Sequence, residues 1–417
     1  LSDRLHYLNS SGDKAQDVTR FWFDTRANLR REMEDRKKRF DDKNEVRGKL
    51  AEVLKKMSSG ASFFEGVHIF TPNSDVPDDT ALRLILLPPD NFYSREEARL
   101  STEAVLDYVR NNGSKPRYRG NRLVFLSPDH GSLARLRDCI RVTLAWGSIV
   151  EDVSEMRLVL DTLQVQQAKK ELQTAENVLP QVARECYKWL LCPAQNTPTD
   201  PKLMVEAFAL NTSGTTLGSE IERICVENEL VIITWSPIHL RAKLKELYWK
   251  EDKPAIEAMT FWEDTMRYLY LPRLKNRDVF AQVIIKGAGS RDFFGTAYGQ
   301  HGGKFDGFKL GDPNVQLDDT LLLIEPEAAE QYEADNSAPD PDPGPGPGPG
   351  PDPDPGPDPD PDPDPIVAHT FIGTAEVNAA AAKMRLVEIA DEIISLLQSD
   401  SQATLDVRLE INAEFLK

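Results

Sequence analysis

The sequence predicts a multidomain α/β and α+β chain: a parallel-sheet α/β lobe, a helical, winged-helix-like segment, a disordered Pro/Asp/Gly linker and a small C-terminal β-α-β unit. Three observations lead there. Apolar runs at residues 67–70, 82–87 and 123–126 alternate with helical patterns at 95–111 and 132–146, as in a mostly parallel sheet. Proline occupies every odd position from 339 to 365, with Asp or Gly at every even one. Beyond that tract Leu405, Val407, Leu409, Ile411 and Ala413 alternate with polar residues, the pattern of a half-buried strand.

Taken in order, residues 1–60 predict a strand at 19–23 and then a long helix. It starts at an N-cap, Asp24 or Thr25, and runs to about Met57 with one break at Gly48. Residues 61–150 form the α/β lobe, and a long polar helix near 152–191 leads away from it within a connecting segment, 151–195. Residues 196–335 carry helices near 217–228, 237–249, 254–269 and 278–286, then short glycine-rich strands near 293–298, 305–310 and 320–324. Helix, turn, helix and glycine-rich hairpin is the order of a winged helix.

In the linker, 336–365, a fixed φ and a missing amide at alternate residues exclude helix and sheet and leave polyproline II. Its 27 regular residues reach up to roughly 80 Å at ~3.1 Å each, and aspartate repulsion extends them. A stiff acidic spacer is the simple reading; a docking segment for a proline-reading domain is the other. Residues 366–417 pair a strand at 371–377 with a helix at 380–398 and the alternating strand. That is too little core to stand alone, so the unit must dock on something.

The net charge of −18 is concentrated in one place, because eight of the acids are linker aspartates and the other 390 residues carry −10. A mildly acidic body argues against nucleic-acid binding over the whole surface but leaves local basic patches open. Cys139, Cys186, Cys192 and Cys225 form no C-x-x-C pair and read as buried reduced thiols of a cytoplasmic protein. No apolar run reaches the roughly 18 residues that span a bilayer, and no signal peptide opens the chain.

No complete catalytic motif is present. Gly299-Gln300-His301-Gly302-Gly303-Lys304 has the wrong spacing for a phosphate loop and precedes Phe305 rather than Ser or Thr. The six histidines show no metal-ligand spacing. Asp129-His130 near Ser127 and Ser132 lacks a G-x-S-x-G elbow, and Asp129 reads better as an N-cap. No catalytic, metal or cofactor residue is therefore expected.

The strongest charge feature is residues 267–310. Arg267, Arg273, Lys275, Arg277, Lys286, Arg291, Lys304 and Lys309 face only Asp278, Asp292 and Asp306, an excess of five positive charges. Six of these, Arg273, Lys275, Arg277, Lys286, Arg291 and Lys304, are the candidate DNA contacts, with aromatic residues interleaved. The competing reading is a solvated basic face over a hairpin core. On the first helix Arg30, Arg31, Arg36, Lys37, Lys38 and Arg39 interleave with acids and read as surface ion pairs.

Several spaced segments resemble a known family. They are Arg20-Phe21-Trp22-Phe23-Asp24-Thr25 with Asn28-Leu29 and Glu34-Asp35-Arg36, Phe63-Phe64-x-Gly66-Val67-His68-Ile69 with Asp75-Val76-Pro77-Asp78, and Gly113-Ser114-x-Pro116-Arg117. Asn121-x-Leu123-Val124-Phe125-Leu126-x-Pro128-Asp129, Leu144-Ala145-Trp146-x-Ser148-Ile149 and Tyr268-Leu269-Tyr270-Leu271-Pro272-Arg273-Leu274 continue the series. Together they are similar to the C-terminal half of large prokaryotic AAA+-type (P-loop) ATPases, a domain-of-unknown-function family found in anti-phage defence islands beside DNA methyltransferases and helicases. The resemblance covers nearly the whole chain.

It implies a parent ATPase whose Walker motifs, ATP and Mg²⁺ belong to sequence before Leu1. It implies a family continuing past Lys417, methyltransferase or helicase subunits as partners, DNA as a further partner, and a homo-oligomeric ring. It also raises the idea of an arginine acting in trans on a neighbour's nucleotide, with Arg117 or Arg119 best placed.

Overall fold

Local capping chemistry, more than apolar periodicity, sets where the first helices start and stop. The computed structural model describes residues 8–11, 20–23, 28–213 and 216–336. The expected N-cap at Asp24 or Thr25, the linker and the terminal β-α-β unit lie outside the described residues. The chain divides into two units, Leu1–Gln331 and Tyr332–Lys417, and the fold below is that of the first.

Strands β1 (Leu8–Ser11) and β2 (Arg20–Phe23) pair antiparallel. Helix α1 (Leu29–Lys37) starts at Asn28, whose side chain accepts from the amides of Arg30 and Arg31 at 3.1 and 3.3 Å. The single helix expected to Met57 is interrupted, though not at Gly48. Asp41 accepts from the Lys43 amide at 3.1 Å and starts a new turn, Asp42–Val46, before α2 (Arg47–Ser58). An aspartate that bonds its own downstream backbone competes with helix continuation, whereas Gly48 sits inside α2 without disturbing it.

Strands β3 (Gly66–Ile69) and β4 (Arg83–Leu86) lead to α3 (Arg99–Arg110). A tight hairpin follows, β5 (Asn111–Asn112) and β6 (Lys115–Pro116), then β7 (Leu123–Ser127), buried at all five positions. Helices α4 (His130–Ser154) and α5 (Thr162–Cys186) pack side by side, then β8 (Trp189–Ala194) and β9 (Met204–Ala209) return to the sheet. Its order is β3-β4-β7-β8-β9, with β3, β4 and β7 parallel and β8 and β9 antiparallel.

The sheet is thus mixed, and the polar helix expected at 152–191 is replaced by two helices and a strand. Trp189, Leu190, Leu191 and Cys192 are an apolar run ended by Pro193; burial beside β7 outweighs their helical spacing. Helix α6 (Leu217–Glu227) closes this layer, with Ile221, Ile224 and Cys225 in one core with Leu84, Val124 and Leu126. Gly218 makes the fit, since a Cβ there would lie 2.6 Å from the Ala61 nitrogen and from the Gly60 carbonyl carbon.

A second core follows. It comprises α7 (Pro237–Leu247), β10 (Ala255–Glu257), α8 (Ala258–Arg267), α9 (Arg277–Ala288), β11 (Gly295–Ala297), the small hairpin β12 (Gln300–His301) and β13 (Lys304–Phe305), β14 (Leu322–Ile324) and α10 (Pro326–Asn336). The sheet order is β10-β14-β11, both pairs antiparallel with Leu323 opposite Ile256 and Thr296. Trp235, Phe261, Trp262, Phe280 and Phe294 fill the interior. The helix expected at 254–269 opens as strand β10, and the strand expected at 305–310 shrinks to Lys304–Phe305. Gly307 and Gly311, at φ of 63° and 77°, turn the chain there.

Candidate functional site

Asn276 caps α9 by accepting from the Val279 amide at 3.2 Å. One side of the helix buries Val279, Phe280, Val283 and Ile284, and the other exposes Arg277, Gln282, Ile285 and Lys286. The Arg277 guanidinium donates to the Leu317 carbonyl at 3.0 Å, which ties the start of α9 to the loop beyond the hairpin. Gly302 and Gly303, at φ of 57° and 83°, form the exposed hairpin turn just before Lys304.

The six candidate contacts divide. Arg277, Lys286, Arg291 and Lys304 are exposed, alongside exposed Asp278, Asp292 and Asp306. Arg273 and Lys275 are not part of that face. Arg273 is only 6 % exposed. Its Nε donates to the Asn121 carbonyl at 2.7 Å, Nη1 to the Leu230 carbonyl at 2.9 Å and Cys192 Sγ at 2.8 Å, and Nη2 to the Pro193 carbonyl at 3.0 Å. The Lys275 ammonium lies 4.6 Å from the centre of the Phe63 ring, a cation–π contact. Of the two other basic residues in the stretch, Arg267 sits over Tyr268 and Lys309 pairs with Asp312 at 2.7 Å. What stays exposed among the six exceeds the three aspartates by one charge.

The buried arginines form a seam between the two cores. Arg122, 2 % exposed, donates through Nη1 to the Leu274 carbonyl at 2.5 Å and through Nη2 to the Lys275 carbonyl at 2.8 Å. Asn121 donates to the carbonyls of Thr265 and Leu271 at 2.8 and 3.1 Å. Burial, with the Arg273 charge adding to it, pulls the Arg122 pKa down to about 10. Its Nε has no partner. Sequence reasoning missed this seam. The available signal was an Asn-Arg pair set directly before a strand with no polar residue until Ser127.

Arg117 is a clamp as well: it donates to the carbonyls of Tyr108, Pro77, Asn73 and Val76 at 2.7 to 3.0 Å. That leaves no donor face for a neighbour's nucleotide. Arg119 is partly exposed and held by Glu263 at 3.0 Å. The α1 cations are more than surface pairs. Arg36 reaches from Glu32 to Asp152 and Ser148, at 2.8, 2.6 and 3.2 Å, fastening α1 to α4.

Asp129 occupies the N-cap position of α4, but its side chain accepts from Ser132 Oγ at 2.9 Å, Trp189 Nε1 at 3.0 Å and Lys188 Nζ at 3.2 Å rather than from the helix backbone. Burial raises its pKa, and those three donors together outweigh burial and hold it below the usual carboxylate value. His130 stacks on Phe92 at 4.4 Å, so no Ser-His-Asp relay forms.

Residues 299–304 fold as the β12–β13 hairpin, not as a loop leading into a helix. Residues 299–304 therefore do not form a cradle for ATP and Mg²⁺. Burial pushes the Cys186 and Cys225 thiols up to about 12, which makes them poor nucleophiles. Among the described residues no group of three His, Cys, Asp or Glu side chains could hold a metal, and no helix is long and apolar enough to cross a membrane. No family model, curated protein or solved structure matches the chain.

Proposed function

We propose that the chain is a non-catalytic coupling and scaffolding region of a larger, defence-associated AAA+-type ATPase, joining nucleotide-driven movement to partner proteins or DNA. The observation that carries this reading is the seam at Asn121, Arg122 and Arg273, where seven backbone carbonyls from distant parts of the chain accept hydrogen bonds. A region that transmits movement must not yield at its joint. The planar guanidinium fork fixes angle as well as distance, which a lysine would not. The residue resemblance supplies the ATPase context, in which ATP and Mg²⁺ bind residues outside this chain.

Purified methyltransferase or helicase subunits from the same defence locus, mixed with the chain, should give a stoichiometric complex by size exclusion. A chain that binds neither a subunit nor DNA overturns the proposal.

A second reading, duplex DNA binding, is favoured by topology. In it α7, β10, α8, α9, β11 and β14 are a winged helix, α9 is the groove helix and residues 298–321 are the wing. Arg277, Lys286, Arg291 and Lys304 then meet phosphate. Lys286→Glu with Lys304→Glu should weaken duplex binding about tenfold or more at low salt and reduce the salt slope by about 2. Unchanged affinity in a fluorescence-anisotropy titration rules this face out.

A further inference from the structure

His68 lies in β3, the strand at one edge of the five-stranded sheet, and is only partly exposed. The β3–β4 register sets Gly66 opposite Arg83 and His68 opposite Ile85. Residues two apart on a strand share a face, so Gly66 and His68 stand side by side. The bare glycine lets the Arg83 side chain cross to the ring. A Cβ at Gly66 would lie 2.5 Å from Arg83 Nη1 and 3.0 Å from His68 Nε2, atoms that are themselves 3.1 Å apart.

A guanidinium carries five N–H donors and no acceptor, so His68 Nε2 has to accept. The ring proton then sits on Nδ1 and the imidazole is neutral. A second proton on the ring turns the acceptor into a donor and sets two cations against each other at 3.1 Å. Arg83 is not free to retreat. Its Nη2 and Nε donate to Asp79 Oδ2 and Oδ1 at 2.5 and 3.3 Å, a fork that fixes the guanidinium plane.

Among the described residues Arg83, Arg117 and Asp79 are the charged groups acting on the ring, and α2, which also packs on β3, adds none. Arg117 is clamped on its four carbonyls and contributes a second positive charge. Asp79 alone opposes. Burial first, then Arg83, holds the His68 pKa below its ordinary 6.5.

This strand also adjoins the joint between the cores. Phe63, three residues before Gly66, donates its amide to Glu222 Oε1 at 2.8 Å, and its ring bears the Lys275 ammonium. On its outer side β3 has no strand partner among the described residues.

We propose that His68 and Arg83 form a pH-sensitive latch: neutral, the ring fastens β3 to β4; protonated, it releases Arg83 and the edge at 63–70 opens. The latch needs neither partner nor nucleotide, so it stands or falls apart from the coupling role. Its contribution is fully present above pH 6.5 and is lost as pH falls through 6.5 toward the lower folded value. An open edge with an ordinary histidine binds the proton that the closed edge refuses. By about pH 5.5 opening is therefore favoured up to about tenfold relative to about pH 7.5.

Hydrogen–deuterium exchange of the intact chain, read on peptides covering 63–70 and 123–127, is the test. After correction for intrinsic exchange rates, wild type should lose protection at 66–70 by about three- to tenfold between about pH 7.5 and pH 5.5, with β7 unchanged. His68→Gln offers Arg83 an acceptor oxygen that takes no proton, so its edge should keep equal protection at both pH values. A wild-type edge equally protected at the two pH values overturns the proposal. So does a glutamine variant that loses protection as wild type does. Should that variant fail to fold by circular dichroism, nitrogen NMR of the wild-type ring decides. At about pH 7.5 His68 should show a protonated Nδ1 and a bare Nε2, and should titrate below the ordinary histidine value. The opposite tautomer, or titration at or above that value, overturns the latch.

Discussion

Arg273→Ala should cost the chain about 3–5 kcal/mol of stability, a large part of the margin of an ordinary domain. The substitution deletes donors to three buried carbonyls, those of Asn121, Leu230 and Pro193, and to the Cys192 sulfur. Each buried carbonyl left unpaired costs about 1–3 kcal/mol, so the gross loss reaches several kcal/mol. Two effects reduce it. The guanidinium's own desolvation and its repulsion with Arg122 disappear, and water can enter the vacated space. Arg273→Lys keeps the charge but places three donors on one nitrogen, which cannot reach three divergent carbonyls, and should cost about 2 kcal/mol.

Urea unfolding followed by tryptophan fluorescence measures both variants. Trp189 lies in a core with the central sheet, while Trp235 and Trp262 lie in the second core, so a weakened seam should also separate the fluorescence and circular dichroism transitions. A loss below about 1 kcal/mol with coincident transitions refutes the claim that this arginine holds the cores together. Arg273→Glu, attractive from sequence as a DNA-binding test, would report unfolding instead.

Asp264 accepts from the Tyr248 hydroxyl at 2.8 Å, yet burial raises its pKa more than Tyr248 and Arg267 lower it. A carboxyl with a raised folded pKa contributes most below its ordinary value of 3.8, and that contribution is lost as pH rises through the folded value. Asp264→Asn keeps an acceptor for Tyr248, so it should raise stability at neutral pH and flatten the slope above the ordinary carboxylate range; urea midpoints at about pH 4 and pH 7 check this. Gly218→Ala should destabilise by about 1–3 kcal/mol although the change normally helps a helix by up to about 1 kcal/mol, because the new Cβ meets backbone at 2.6 Å. A higher melting temperature for that variant contradicts the close packing of α6 on Gly60 and Ala61.

Much of the central sheet was legible because its signal is local. Residues 67–70, 82–87 and 123–126 are apolar runs with turn residues at their ends, and they became β3, β4 and β7 within one residue or two. The strand β8 reads as helix in sequence because Ala183, Cys186, Leu190 and Leu191 continue the helical spacing of α5. The strand is selected by pairing with β7, far off in sequence, and with β9, which follows it directly. The break after α1 was misplaced for a related reason: a glycine attracts attention, whereas the Asp41 side chain acted through its own hydrogen bonds.

The basic residues show where sequence reading of a site reaches its limit. Arg273 and Arg277 are four positions apart and look alike as charges, yet one is buried among carbonyls and the other is exposed. What separates them is that the Asn121, Leu230 and Pro193 carbonyls, far apart in sequence, converge on Arg273 only in the folded chain. An arginine beside such a convergence is spent on it. Counting charges along residues 267–310 therefore overstates the field available to DNA: with Arg267 also exposed, the excess of five falls to two among the exposed side chains. Any nucleic-acid role of this face falls to the few cations that stay exposed on α9 and its hairpin, Arg277, Lys286 and Lys304 among them.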